Sequence, residues 1–310
     1  MNNNTTLPSL PLEEWEQTKI TLHLYLQIIG KVQLALMPRK NHWWNITELI
    51  CPSGIISHDI PYQNEEETFQ IKLNFLLHRL EVCNSKKELE TFPLHDGLSV
   101  AEFYKKLFDI FDKLKISVKI IDTPYDLPAE KKSFSKIDNF HFYQREYVER
   151  YWRILIWVGQ VFHKFSGKFY GKTSPVQLYW HHMDLTVTRF SGRRAPVLPG
   201  ESTIANKDAY SHEVISFGFW AGDEKTRTPA FYSYTYPSPE TLDQQQLQPT
   251  TASWEDNNGS PMALLLYDDV RTSDNPEKVL LSFLDSAYTA GATLASWNLK
   301  DLEVPPLKDM

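Results

Sequence analysis

The stretch PVQLYWHHMDLTVTRFSGRR, Pro175 to Arg194, gathers two adjacent histidines, one aspartate and three arginines among large aromatic rings. These types can do three kinds of chemistry. His181 and Asp184, three residues apart, can be a base with its orienting carboxylate, part of a metal site, or a hydrogen-bonded core pair. Arg189, Arg193 and Arg194 surround Ser191-Gly192 and suit a carboxylate or phosphate, because the planar guanidinium donates to two oxygens at once. Arg189, inside the strand pattern, is the better candidate to face a cleft, while Arg194 reads as solvated charge beside a turn. Glu213, at the start of a later strand, could pair with one of these arginines. His42, Trp44 and Trp180 complete the candidate ligand-binding set, the indoles serving as walls on which a ring or sugar stacks.

Stronger signatures are missing. No HExxH, HxH or paired cysteines occur, so a metal site would have to be assembled from distant residues such as His42, His181 and Asp184. No GxSxG elbow, GxGxxG or GxxxxGK[ST] is present. Gly167 to Ser174, GKFYGKTS, has the ending of a phosphate loop, but its spacing is wrong and a helix precedes it. The cofactor is therefore unknown on this reading.

The elements that must position these groups follow from periodicity. Val176, Leu178 and Trp180 share one parity of a strand, whereas Met183, Leu185 and Val187 share the other, so the core face changes at His181-His182. One extra residue there, a β-bulge, would reconcile the two and re-aim a side chain. Upstream, Ser9 and Pro11 open a helix carrying Trp15, Leu22, Ile29 and Leu36. The alternation of Ile20, Leu22, Leu24, Leu26 and Ile28 competes for a strand. Strands are predicted at His42–Leu49, Phe69–Leu76, Arg79–Cys83, Glu88–Leu94 and Ile116–Ile121. Between the last two, Ser99 and Glu102 form a capping box for a helix buried through Val100, Phe103, Leu107 and Phe111. The order then repeats: a helix from Tyr147 to Phe165, strands at Pro175–Arg194, Val214–Trp220, Phe231–Tyr236 and Met262–Tyr267, and a last helix opened by Asn275-Pro276. The stretches 193–210 and 237–259 read as long polar loops.

The predicted class is α+β: two tandem helix–antiparallel sheet–helix units, 9–123 and 139–300, joined by a linker, 124–138, and related by a pseudo-two-fold duplication. A local match supports it. Gly30-Lys31, Trp44 and Glu48-Leu49 recur as Gly167-Lys168, Trp180 and Asp184-Leu185.

The chain of 310 residues is 42% hydrophobic, enough for one large core or two ordinary ones, and carries a formal net charge of −7. That balance argues against nucleic acid as a partner, which needs a continuous basic stripe. No apolar run is long enough to span a membrane. Two cysteines cannot build a disulfide framework, and the N-terminus lacks a secretory pattern, so a cytoplasmic protein with a frayed Met1–Thr6 tail is expected.

The motifs LPLEEWEQTKITLHLYLQIIGK, PRKNHWW, DGLSVAEFYKKL, GKTSPVQLYWHHMDLTVTRFSGR, YSHEVISFGFWAGD and AFYSYTYPSPE together resemble an uncharacterised bacterial family of similar length, known only as a domain of unknown function. The resemblance spans nearly the whole chain and brings no catalytic residue. It implies that motif positions fall at His23, His42, His78, His181, Asp184, Arg189, Arg193 and Glu213. The chain departs from the family pattern at His182, where a serine stands, and at Asn74, where an aspartate stands. The reading that results is a small polar or anionic organic ligand held in a cleft between the halves. His181 and Asp184 supply the hydrogen-bonding or acid–base pair, with no nucleic acid and no membrane as partner. A metal-dependent hydrolase and a non-catalytic interaction module are the alternatives, and oligomeric state is left open.

Overall fold

A single long helix, α1 (Leu12–Leu36), runs through the middle of the protein. Every residue from Thr21 to Gln33 is buried, so the helical stripe and the strand-like alternation seen in the sequence are both satisfied by a helix buried on all sides, with His23, Gln27, Lys31 and Gln33 among its buried polar residues. Its N-cap is Pro11, which makes no side-chain cap bond, rather than Ser9. The computed structural model describes residues 7–127, 131–198, 200 and 202–305. The Met1–Thr6 tail and residues 128–130 of the expected linker lie outside them.

The first sheet is built from β1 (Leu49–Cys51), β2 (Gly54–Ile56), β3 (Ile60–Tyr62), β4 (Glu67–Asn74), β5 (Arg79–Asn84) and β6 (Leu89–Pro93), all antiparallel. β2 and β3 share one edge of β4, and β5 takes the other. Phe69, Ile71 and Leu73 of β4 are buried while Gln70 and Lys72 are partly open, as period-two alternation requires. The helix α2 (Val100–Lys113) follows with the predicted capping box, Ser99 accepting from the Glu102 amide and Glu102 accepting from the Ser99 amide. Ile116–Ile121 joins no ladder, a correction to the strand expected there. The stretch 131–138 buries Phe134 and Ile137 beside α2.

The second unit opens with α3 (Arg145–Ser166), which Gly167 ends. Its sheet runs β11-β12-β10-β9-β8-β7, from β7 (Gln177–Tyr179), β8 (Asp184–Arg194), β9 (His212–Trp220), β10 (Ala230–Tyr236), β11 (Ser253–Asn257) and β12 (Ser260–Leu266). A short helix, α4 (Ile204–Ala209), lies between β8 and β9. α5 (Tyr267–Arg271), α6 (Pro276–Leu294) and α7 (Leu299–Leu302) close the chain. The stretch 237–259 therefore contains an edge strand, β11. It was not legible because Ser253, Glu255, Asp256 and Asn257 are exposed, so no apolar face marks it. Among the described residues no helix is long and apolar enough to cross a membrane.

The expected single strand from Pro175 to Arg194 is a hairpin. β7 ends at Tyr179, Trp180 to Met183 turn with Met183 left-handed at φ 57°, and β8 returns from Asp184. The change of core parity at His181-His182 is thus a reversal of direction rather than a bulge. The irregularity in β8 falls later, between Phe190 and Arg194.

The two sheets meet at one bridge. Glu48, just before β1, pairs antiparallel with Leu178 of β7. Outward from that bridge the strands run β1-β2-β4-β5-β6 on one side, with β3 beside β2 on β4, and β7-β8-β9-β10-β12-β11 on the other. The local sequence match falls elsewhere, because Glu48 precedes the innermost strand of its sheet while Asp184 opens the second strand of the other. One apolar core, from Trp15 and Tyr25 through Phe103 and Tyr151 to Phe217 and Phe283, runs through both units.

Candidate functional site

Strand register sorts the second sheet into two faces. Leu178, Leu185, Phe219, Phe231 and Leu265 stand side by side in successive strands and are all fully buried on the helix-covered face. The opposite face carries Gln177 and Tyr179, Asp184, Thr186, Thr188 and Phe190, Ser216, Gly218 and Trp220, then Tyr232, Tyr234 and Tyr236. It is polar and aromatic, and most of its large side chains are half-buried.

Asp184 is the charged group of that face. Tyr232 donates its hydroxyl to Asp184 Oδ2 at 2.6 Å, and Oδ1 is buried without a partner. Burial raises the Asp184 carboxyl above the usual aspartate range, partly offset by the Tyr232 bond and by His182. Beside it in the register lie two more buried polar atoms without partners, Thr186 Oγ1 and Trp220 Nε1. Tyr232 crosses Gly218, where any Cβ would overlap its ring, so the glycine is what lets the tyrosine reach Asp184. Tyr179, paired with Asp184 across the hairpin, donates to the His42 carbonyl at 3.1 Å and accepts from Gln177 Nε2 at 3.2 Å.

That bond ties Tyr179 to a residue of a second cluster, at the far end of the face from Asp184. His42 and Trp43 are both left-handed, at φ 58° and 61°, which costs on the order of 1 kcal/mol each for non-glycine residues. The turn they make replaces the strand expected from His42 and brings the His42 ring to 4.8 Å from Phe190, with Trp44 and His212 each at 5.6 Å. His42 Nδ1 faces the Ala209 carbonyl at 3.1 Å, and Nε2 is buried without a partner. The Lys172 ammonium lies 5.1 Å from the Trp44 ring and 4.7 Å from Phe190.

The remaining sequence candidates occupy other places. His181 sits in the hairpin turn against Tyr125, Tyr179 and Trp180. Burial, then His182 and His23, push its imidazole down to about 3, so it is neutral around pH 7. Its carbonyl lies 3.0 Å from His23 Nε2. Trp180 packs on Gly30 of α1 with Lys31 5.9 Å from its ring. Arg189 turns to the helix side: its guanidinium donates to the Phe165 carbonyl at 2.5 Å and lies 3.6 Å from the Phe165 ring centroid and 4.4 Å from Tyr288. Arg193 donates to Glu213 at 2.8 Å and to the carbonyls of Ala295 and Ser296, just past α6, while Glu213 also accepts from Ser191. This pair therefore clasps the β8–β9 edge to the C-terminal end of a helix, where a cation meets the partial negative charge. Of the named residues, Asp184, His42 and Trp44 share the outer face, while Arg189 faces away from it. Among the described residues no three His, Cys, Asp or Glu side chains are grouped closely enough to hold a metal ion.

A scan against family models matches residues 7–304, every helix and strand described above, to one family. The chain belongs to DUF5996, a family of unknown function. No curated protein and no solved structure matches it. Membership thus agrees with the resemblance carried by the sequence motifs and assigns no role to any residue, so the chemistry rests on the geometry of this chain alone.

Sequence reasoning missed Tyr179, Thr186, Trp220, Tyr232 and Lys172. The alternation of Tyr232, Tyr234 and Tyr236 along one strand was a usable signal, since three rings of one parity must share a face. It missed Glu48 as well, whose two carboxylate oxygens are buried without partners and whose acid is pushed well above the usual range by that burial.

Proposed function

We propose that the protein binds a small polar organic ligand on the outer face of the second sheet, at Asp184 and its cross-strand partner Tyr179 in the second unit, 139–300, where Tyr179 bonds to the His42 carbonyl of the first, 9–123. The observation that carries this reading is the trio of buried, unpartnered polar atoms on one patch, Asp184 Oδ1, Thr186 Oγ1 and Trp220 Nε1. Buried polar atoms in folded proteins are paired with protein, water or ligand, because an unmade hydrogen bond costs about 1–3 kcal/mol. A carboxyl oxygen, an indole donor and a hydroxyl that can do either, in a ring-lined patch, suit a ligand that both donates and accepts hydrogen bonds and offers a flat apolar side to Tyr179 and Tyr232. The neutral imidazole of His181 stands in the turn beyond, packed on Tyr125, which supports binding over acid–base catalysis. A cytoplasmic setting belongs to the same reading and is supported by the free thiols of Cys51 and Cys83.

A thermal-shift and tryptophan-fluorescence screen of small polar metabolites tests it. At least one compound should stabilise the wild type, and Asp184→Asn and Tyr232→Phe should each weaken that compound while remaining folded. A compound that binds with unchanged affinity to both variants would place the ligand elsewhere. A screen without hits, together with ordered waters on all three atoms in a high-resolution crystal structure, would make the patch a hydrated part of the fold.

A further inference from the structure

We infer that the end of the outer face formed by Lys172, Arg194, His212 and His42 is an oxyanion-binding site, suited to the phosphate or carboxylate group of a ligand. It uses none of the atoms on which the Asp184 reading rests.

Its four cationic or protonatable groups come from separate segments that the fold brings together. Lys172 follows α3 and is fixed at its backbone, where its carbonyl accepts from the Phe190 amide at 3.0 Å. Arg194 and His212 are cross-strand partners at the end of β8 and the start of β9. His42 arrives from the first unit in its left-handed turn, its ring 5.6 Å from that of His212. Lys172 acts on both imidazoles and Arg194 on His212, so the groups share one local field. Like charges gathered this closely repel one another, and an anion relieves that repulsion.

Two details separate this cluster from ordinary solvated surface charge. His42 is 5% exposed, its Nε2 is buried without a partner, and its ring packs beside the Trp44 and Phe190 rings that Lys172 approaches. Asp208, the carboxylate that acts on His42, is already ion-paired with Arg39. The exposed Lys172 has its ammonium over the rings of Trp44 and Phe190, which hold it beside the cluster. Burial and Lys172 hold His42 and His212 below the usual histidine range, so both are mainly neutral near pH 7. An anion arriving between them favours their charged forms and is bound with uptake of protons.

Sulfate is the direct probe, because its charge does not change between pH 5.5 and pH 8. Histidine ring resonances are followed by NMR during titration with sodium sulfate, against sodium chloride at matched ionic strength. The expected result is saturable movement of the His42 and His212 signals with sulfate only, with affinity rising as pH falls. Lys172→Ala and Arg194→Ala should each weaken sulfate by roughly tenfold, the worth of one charge-assisted hydrogen bond, and Lys172→Arg should keep most of it. Asp184→Asn should leave sulfate binding unchanged, which separates this site from the Asp184 patch. Movement that never saturates, equal movement with chloride, or affinity indifferent to Lys172→Ala and Arg194→Ala would overturn the inference. Lys172 and Arg194 are exposed, and for every variant, the half-buried Asp184→Asn included, an unchanged melting temperature shows that it is folded.

Discussion

Glu48 and Leu178 exchange both backbone hydrogen bonds, at 2.9 and 2.8 Å, and by doing so join the two sheets. The pairing sets the Glu48 carboxyl in line with Leu178, Leu185 and Phe219, on the face that α3 covers, with neither oxygen bonded. Burial without partners disfavours the carboxylate relative to the neutral acid and so raises the Glu48 pKa.

The sign of the pH dependence follows. The folded-state pKa of Glu48 is raised above its unfolded value of about 4.3. Its contribution is fully present below that unfolded value and is lost as pH rises toward the folded one, at about 1.4 kcal/mol per pH unit inside the window. Glu48→Gln keeps the shape and cannot ionise. Urea unfolding at pH 5, 6, 7 and 8 should show the variant gaining on the wild type as pH rises above the unfolded value, until the folded pKa is passed. Parallel stability curves would mean that Glu48 finds a partner in solution.

Arg189 is a core residue by its position, despite its charge. Arg189→Ala removes the bond to the Phe165 carbonyl and the packing on Phe165 and Tyr288, and should cost about 2–4 kcal/mol of stability. Any ligand of the outer face should bind the folded fraction as before, measured by titration at a temperature where both proteins are folded. A large loss of affinity with intact stability would return Arg189 to a binding role.

Gly30 lies where α1 meets the hairpin turn, and a Cβ there would overlap the Trp180 indole. Alanine is the better helix former by about 1 kcal/mol, yet Gly30→Ala should destabilise by about 1–3 kcal/mol because Trp180 is itself buried. In a Trp180→Ala background the same change should turn neutral or stabilising. A double-mutant cycle from denaturant unfolding checks this, and additive costs would show that the contact is not what decides.

Ser99→Ala removes the side-chain half of the capping box on α2, the Ser99 Oγ that accepts from the Glu102 amide, and should cost about 1 kcal/mol, read from the shift in urea midpoint at unchanged slope. Ser9→Ala, at the position the sequence suggested as a cap for α1, should change stability by less than about 0.5 kcal/mol, since Pro11 occupies that role without a side-chain bond.

What the sequence determined by itself was whatever neighbours along the chain decide. The capping box of α2, the alternation of β4, the stop of α3 at Gly167 and the α+β class are local in origin: periodicity, caps and breakers act over a few residues and need no tertiary partner. The family, too, was legible, because its motifs are long. Direction and facing were not. Trp180 to Met183 carries no glycine, proline or asparagine to announce a reversal, so one hairpin looked like one strand with a switched face. In that turn Trp180 is seated on Gly30, 150 positions earlier in the chain by their numbers. Residue types at the site were equally readable, and their partners were not. Asp184 looked like the orienting acid of His181, yet Tyr232 reaches it across Gly218 from another strand. Arg189 looked like an anion clamp, yet strand parity sends it to the helix side. Which face a polar side chain takes, and whether its hydrogen bonds are filled, depends on contacts between segments far apart in sequence, and only the folded chain decides those.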